Sequence, residues 1–317
     1  MNLATSTNII CERPGGKVFP IEQTLQIASE AGFRLFDMNF YDWALPFSPF
    51  LTDQWEIWIN RIAEKAAQLG VKFGQCHAYT FNFLDRSMTK EEWHRNQELV
   101  ERSLYCCSIL GSRLCVTHPE TDRAVQNLYS VSKKENIEYY NRLLEVSEKY
   151  NMELAIENMC DLSIAPRRKY CAFPEELVDL IDSFHNEEIG ICWDFEHADI
   201  MKIDQRQALL YIGKRLKATH VSDSLSSTDT DLMHILPMFG TINWAEIMQT
   251  LQQIHYNGDF CFEAHNFANR LPDTLLPTAM KLSYEIGQYL LNLPREASSV
   301  LVQTSGSTKT TAISFLA

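Results

Sequence analysis

The sequence predicts an α/β protein folded as a single (β/α)8 barrel, the TIM-barrel architecture. Three observations carry this. Short apolar runs alternate with longer amphipathic segments along the chain, the alternation repeats eight times, and no glycine-rich G-x-G-x-x-G turn follows the first run. The last point weakens a dinucleotide-binding sheet. An open, doubly wound sheet is the alternative, since it shows the same alternation and differs only in count and closure.

The expected strands are 7–11 (TNIIC), 34–39 (RLFDMN), 71–77 (VKFGQCH), 113–118 (RLCVTH), 152–158 (MELAIEN), 188–194 (EIGICWD), 215–221 (RLKATHV) and 259–264 (DFCFEA). Between them, apolar residues recur at three- and four-residue spacing, as in Ile21, Leu25, Ala28 and Ala31. That spacing predicts helices over 20–31, 53–69, 90–111, 133–150, 174–184, 204–213, 243–256 and 273–291. Many strands begin just after AG, LG or NG, where glycine terminates the preceding helix. The barrel is expected to occupy 1–293. After Pro294 the chain turns to Ser, Thr and small residues without period, so 294–317 is expected to be a poorly ordered tail.

A chain of 317 residues with 45% apolar content can bury a large core. Its net charge of −13 argues against nucleic acid or an anionic membrane as partner. A small anionic substrate is not excluded, because a pocket can be locally basic. No signal-peptide pattern opens the chain and no apolar run reaches membrane-spanning length, so a cytoplasmic protein is expected. The nine cysteines include no Cys-x-x-Cys pair, and several sit in apolar runs. Buried reduced thiols are the expectation.

In a parallel barrel, chemistry collects at the C-terminal ends of the strands. The third strand ends in His77, the fourth in His118 and the fifth in Glu157–Asn158. The sixth ends in Asp194 with His197 just beyond, the seventh in His220 followed by Asp223, and the eighth in Glu263 followed by His265. Five of the nine histidines therefore stand at strand ends or within three residues of them, a placement that scattered surface histidines would not show.

A carboxylate closing a buried run is costly unless paired or metal-bound. Each one alone can equally cap a helix or meet an arginine. Glu157, Asp194 and Glu263 together with His220 form a hard, mixed oxygen and nitrogen ligand set. It suits one divalent ion, Mn2+, Mg2+ or Co2+, and zinc less distinctively. His77, His118 and His197 are read as core histidines or as groups contacting substrate oxygens. His265 and His255 are read as surface or helix residues, and His94 and His185 carry no signal. In GICWDFEHADI (190–200), Glu196 and Asp199 are expected to point away from the site.

Three loops are candidates as well. In DTDLMHILPMFGTINW (229–244), with His234, Pro237 and Gly240, the glycine is expected to let backbone approach a ligand, and Asn243 to cap the next helix. Arg167, Arg168 and Lys169 either grip an anion or form a solvated lid. In 39–52, Phe40, Tyr41, Trp43, Phe47 and Phe50 either wall the pocket, fill a subunit interface or pack the core.

The segments LAIENM, WDFEHAD, THVSDS, LPMFGTINW and DFCFEAH resemble signature segments of the xylose isomerase-like TIM barrels, a broad group of sugar phosphate isomerases and epimerases. The resemblance spans most of residues 5–291 and implies the barrel fold, but is poorly specific for substrate. By similarity to the ketose 3-epimerases of that group, Glu157, Asp194, His220 and Glu263 would hold one divalent metal. Glu157 and Glu263 would also act as the acid/base pair on opposite faces of the substrate carbon, abstracting a proton alpha to a carbonyl and forming a metal-stabilised enediolate. His197 would contact a substrate oxygen. His77, His118 and His234 are the further candidates for substrate contact, on their places at strand ends and in the 229–244 loop.

The substrate implied is a small sugar or sugar derivative, and the assembly a homodimer or homotetramer. Inosose dehydratases share the mononuclear site. Apurinic endonucleases of the superfamily add histidines matched by His77 and His118, and an Asp-x-His pair. Here Leu232 stands where that aspartate belongs, with His234 at the histidine, which with the net charge of −13 disfavours the nuclease. A non-catalytic sugar-binding barrel is the reading from outside enzymology, and the intact ligand set disfavours it.

Overall fold

The structure, a computed structural model, describes residues 1–46, 48–161 and 168–293. The expected tail at 294–317, Phe47 and Arg167 lie outside the described residues. Eight strands, β1 (Asn2–Ser6), β2 (Leu35–Asn39), β3 (Lys72–His77), β4 (Leu114–Thr117), β5 (Glu153–Glu157), β6 (Ile189–Asp194), β7 (Leu216–Val221) and β8 (Asp259–Phe262), close into a barrel. All neighbours are parallel, and β1 pairs with both β8 and β2 to complete the ring.

The crossovers carry α1 (Ile21–Ala31), α2 (Trp55–Leu69), α3 (Lys90–Ile109), α4 (Leu128–Lys149), α5 (Pro174–Asp182), α6 (Phe195–Ile200), α7 (Gln205–Ile212), α8 (Trp244–Gln253) and α9 (Leu276–Leu291). Local chemistry sets their ends. Thr89 and Glu92 form a reciprocal capping box at the start of α3. Gly70 ends α2 in the left-handed conformation (φ 65°), donating its N–H to Ala66 and Ala67.

From β2 to β8 the strands fall within two residues of the expected ranges. The first does not: β1 is Asn2–Ser6, and the apolar run at 9–11 is a turn. Ile9 and Ile10 are fully buried, but their segment makes turn bonds, Ile9 N–H to Ser6 O and Cys11 N–H to Asn8 O. Hydrophobicity there marked burial and not extended backbone, while Thr5 and Ser6 disguised the true strand. A small hairpin, Glu12–Arg13 with Lys17–Val18, and the short α6 were also not anticipated. The thiols are as expected: all nine are free and all but Cys160 are buried.

Strand side chains alternate between faces, and register matches residues across neighbours. Val116 pairs with Ala155, Glu157 with Cys192, Cys192 with Ala218, Asp194 with His220, and Asn39 with His77. Val116, Ala155, Cys192 and Ala218 form their own buried cluster in the barrel interior. Two residues along each of these strands stand His118, Glu157, Asp194 and His220. The floor is thus small and apolar, and the next layer towards the C-terminal mouth is polar. The larger apolar cluster lies between strands and helices.

Candidate functional site

Glu157, Asp194, His220 and Glu263 come from four adjacent strands and converge, with one ligand atom from each lying within 4.8 Å of the others. Their exposures are 2%, 0%, 1% and 8%. His220 Nδ1 sits between the two glutamates, 3.1 Å from Glu157 Oε2 and 3.0 Å from Glu263 Oε2. Glu157 Oε2, Asp194 Oδ2 and His220 Nδ1 are fully buried without a hydrogen-bond partner. Three converging unsatisfied atoms in a carboxylate–imidazole set fit a divalent cation, which would compensate each of them at once.

A second ring of polar groups holds these four in place. Asp37 Oδ2, itself bonded by Gln75 Nε2 at 2.8 Å, lies 3.5 Å from His220 Nε2, so Nδ1 is the nitrogen left facing the glutamates. Asn39 Nδ2 donates to Glu263 Oε1 at 3.0 Å, turning Oε2 towards His220. Asn158 braces β6 from both sides, accepting from Asp194 N–H at 2.6 Å and donating to Asp194 O at 2.9 Å. Asp194 Oδ1 caps α6 through His197 N–H (2.7 Å), which leaves Oδ2 free for the cluster.

The four histidines expected at the substrate site surround this quartet. His77 Nε2 and His118 Nε2 are 3.0 Å apart and lie 3.4 and 3.2 Å from Glu157 Oε2. His197 Nδ1 meets Asn158 O at 2.8 Å and lies 3.3 Å from Glu157 Oε1. His234 is brought in by its loop, its ring 6.2 Å from that of His197. Tyr41 stands over the His77–His118 pair at 6.1 and 6.0 Å, and is the one aromatic of the 39–52 group placed at the site among the described residues. Phe40 and Phe50 instead pack with Trp58 in the core.

Several expectations are corrected. Glu196 does not point away: it is fully buried on the first turn of α6, and its Oε2 accepts from His234 N–H at 2.6 Å. Asp199 does stand outside, beside Lys202 and Thr241. His265 is half-buried and stacks on His234 at 4.3 Å. Gly240 is required by the protein's own packing, since a Cβ there would lie 2.1 Å from Asp223 Oδ1. The buried Asp223 carboxylate organises this loop by accepting from Ser224, Met238 and Ile242 N–H and from Trp244 Nε1. Arg168 is held by Glu176 and lies over Phe173 and Tyr129, so its guanidinium is committed to packing.

The electrostatics match the geometry. Burial works against the charge on Glu157, but the imidazoles of His220 and His118 outweigh it and hold the carboxyl well below its usual range. Glu263 is held low in the same way, chiefly by His220 against burial. Burial pushes Asp194 up and His118 down to about 4. Against burial, Glu157 and Glu263 raise His77 to about 9. The imidazoles thus hold both glutamates towards their ionised form, and a divalent cation at the centre would act on them in the same direction.

Asp37, Asn39, Asn8 and Glu196 escaped the sequence reading. Asp37 and Asn39 share the inward parity of β2, a signal that was present but was overlooked because attention went to histidines and strand-closing carboxylates, whereas Asn8 stands in the turn after β1, where no strand parity applies.

Residues 25–285 match the family described as xylose isomerase-like TIM barrel. The protein y4fM of Sinorhizobium fredii is 24% identical over 217 residues, covering 65% of this chain and 63% of its own length, so the chain spans less than two thirds of that curated relative. A crystal structure of a D-tagatose 3-epimerase-like protein superposes with TM-score 0.69 at 18% identity, covering 92% of this chain and 98% of that one. The IolI protein with a bound zinc atom superposes with TM-score 0.72 at 15% identity over the same shares. Likeness at these identities shows the fold. With the family match running through most of the closed barrel, the chain belongs to the xylose isomerase-like TIM barrel family.

Proposed function

We propose that the protein is a divalent-metal-dependent isomerase or epimerase that moves a proton at the carbon alpha to a carbonyl of a sugar or sugar derivative. The observation that carries this is the buried quartet Glu157, Asp194, His220 and Glu263, with three of its inward atoms lacking any hydrogen bond. These four residues would hold the ion, Mn2+, Mg2+, Co2+ or Zn2+. When bound, it supplies charge stabilisation to adjacent carbonyl and hydroxyl oxygens of the substrate. The likeness to a D-tagatose 3-epimerase-like protein and to a zinc-bound barrel supports the same reading.

The residues then divide the work. Glu157 and Glu263 approach His220 Nδ1 from different strands, placing a carboxylate on each side of the central position. One removes the proton and the other returns it, with roles exchanged when the reaction runs backwards. Asn39 holds Glu263 in its orientation, and His77, His118 and His197 hold Glu157. His197 and His234 are assigned to substrate oxygens, with His77 and His118 lining the same side. We place the protein in the cytoplasm, supported by its buried free thiols, as a homodimer or homotetramer of a 1–293 barrel domain.

The test is elemental analysis of purified protein, followed by solvent deuterium uptake into a panel of ketoses and keto-inositols. The expected result is one divalent ion per chain and uptake alpha to the carbonyl that disappears on chelation. Full exchange activity in metal-free protein would refute the reading. Loss of water from a keto-inositol in the same assay would replace it with a dehydratase.

A further inference from the structure

On one side of the quartet the ends of β1, β2 and β8 bring together polar groups that the proton-transfer chemistry does not use. Asn8, two residues past β1, is 1% exposed. Its Nδ2 donates to Asp42 Oδ2 at 2.5 Å and lies 3.5 Å from Glu263 Oε1 and from His265 Nδ1. Carboxylates on that side fix the amide with its NH2 towards them. The carbonyl Oδ1 is then left buried, with no hydrogen-bond partner. Asp42, in the β2–α2 loop, is anchored by its own N–H to Asn39 Oδ1 at 2.8 Å. Among the groups acting on it are Glu263 and the imidazoles of His77 and His234.

This sector therefore presents acceptors and negative charge. A group bound here has to donate hydrogen bonds, as a hydroxyl does. A phosphate brings acceptors and two further negative charges, and meets carboxylates here whose ion-pair partners are imidazoles alone among the described residues. The surrounding carboxylates sharpen the contrast: Asp37, Glu157, Asp194, Glu196 and Glu263 have only imidazoles as ion-pair partners among the described residues.

We propose that Asn8 and Asp42 form a hydroxyl-reading subsite beside Glu263, and that the substrate is a free polyhydroxy carbonyl compound and not a sugar phosphate. This rests on the isomerase reading for the reaction, but the subsite itself is tested by binding.

The experiment is calorimetric titration of the Mn2+-loaded protein with D-fructose, D-tagatose, D-psicose, a keto-inositol, D-fructose 6-phosphate and D-tagatose 6-phosphate. Deuterium uptake is measured on the same panel. Wild type should bind at least one free compound about tenfold or more tightly than either phosphate. Asp42→Asn and Asp42→Ala should each weaken that compound about tenfold and narrow its advantage over the phosphates. Their Mn2+ affinity should be retained, because Asp42 touches none of the quartet. Asn8→Ala should weaken the same compound.

Phosphates bound as well as free sugars would overturn the proposal. So would variants that bind like wild type, or that weaken free and phosphorylated compounds equally. Binding that depends on Asp42 without any deuterium uptake would uphold the subsite and sink the isomerase reading. Failure of wild type to bind any compound on the panel would overturn both.

Discussion

Replacing Glu196 by alanine tests whether a buried carboxylate holds the His234 loop over the barrel mouth. Glu196 is fully buried and accepts the His234 N–H at 2.6 Å. His234 has a φ of 49°, in the left-handed region that a histidine rarely adopts, and its carbonyl accepts Asn266 N–H at 3.0 Å. Loss of the acceptor leaves a part-buried N–H unpaired on a strained residue, at a cost of about 2 kcal/mol. If that cost falls on local opening, amide exchange in the peptide covering 233–240 should quicken about 30-fold. Glu196→Gln keeps a carbonyl acceptor and should stay within a few-fold of wild type.

Hydrogen–deuterium exchange read by mass spectrometry measures both variants without any substrate. Unchanged exchange in Glu196→Ala would refute the clamp. Faster exchange spread through the strands would show that the residue supports the barrel and not the loop.

Glu157→Gln and Glu263→Gln should each lower proton exchange at the substrate carbon by roughly 100- to 10,000-fold, with circular dichroism unchanged. Asp194→Ala should weaken Mn2+ at least about 100-fold, and Asp37→Asn, acting through His220, about 10- to 100-fold, both read by calorimetry. Mn2+ affinity should fall steadily as pH is lowered, because the same carboxylates and imidazole bind either protons or the cation. Asp223→Ala removes an acceptor shared by three backbone N–H groups and Trp244 Nε1. It should cost about 4 kcal/mol, a fall of roughly 6 °C in the melting midpoint by calorimetry.

Residues 34–39 through 259–264 announced seven strands, because each is a short apolar run between helical patterns and buried parallel strands require that composition. The quartet was legible for a related reason. Glu157, Asp194 and Glu263 close apolar runs, and a charge in that position demands a partner. The first strand was not legible, because it closes in two polar residues, Ser6 in register with the inward Asp37 and Thr5 with Phe36 and Phe262 on the other face, whereas Ile9 and Ile10 fill the core from a turn.

Alternation and strand-end chemistry, written into the chain itself, determined the barrel and the four converging residues Glu157, Asp194, His220 and Glu263. Tertiary structure alone decided how Glu263 and His220 face the centre, since that depends on partners from another strand: the Asn39 amide donates to Glu263, and the Asp37 carboxylate faces the ring of His220. The orientation of Asp194 is local, set by its cap of the His197 N–H three residues on. It also decided the fate of Glu196. Local sequence places it two residues after Asp194 with no stated partner, and the return of the 234 loop, 38 residues later, supplies the N–H that its buried carboxylate accepts.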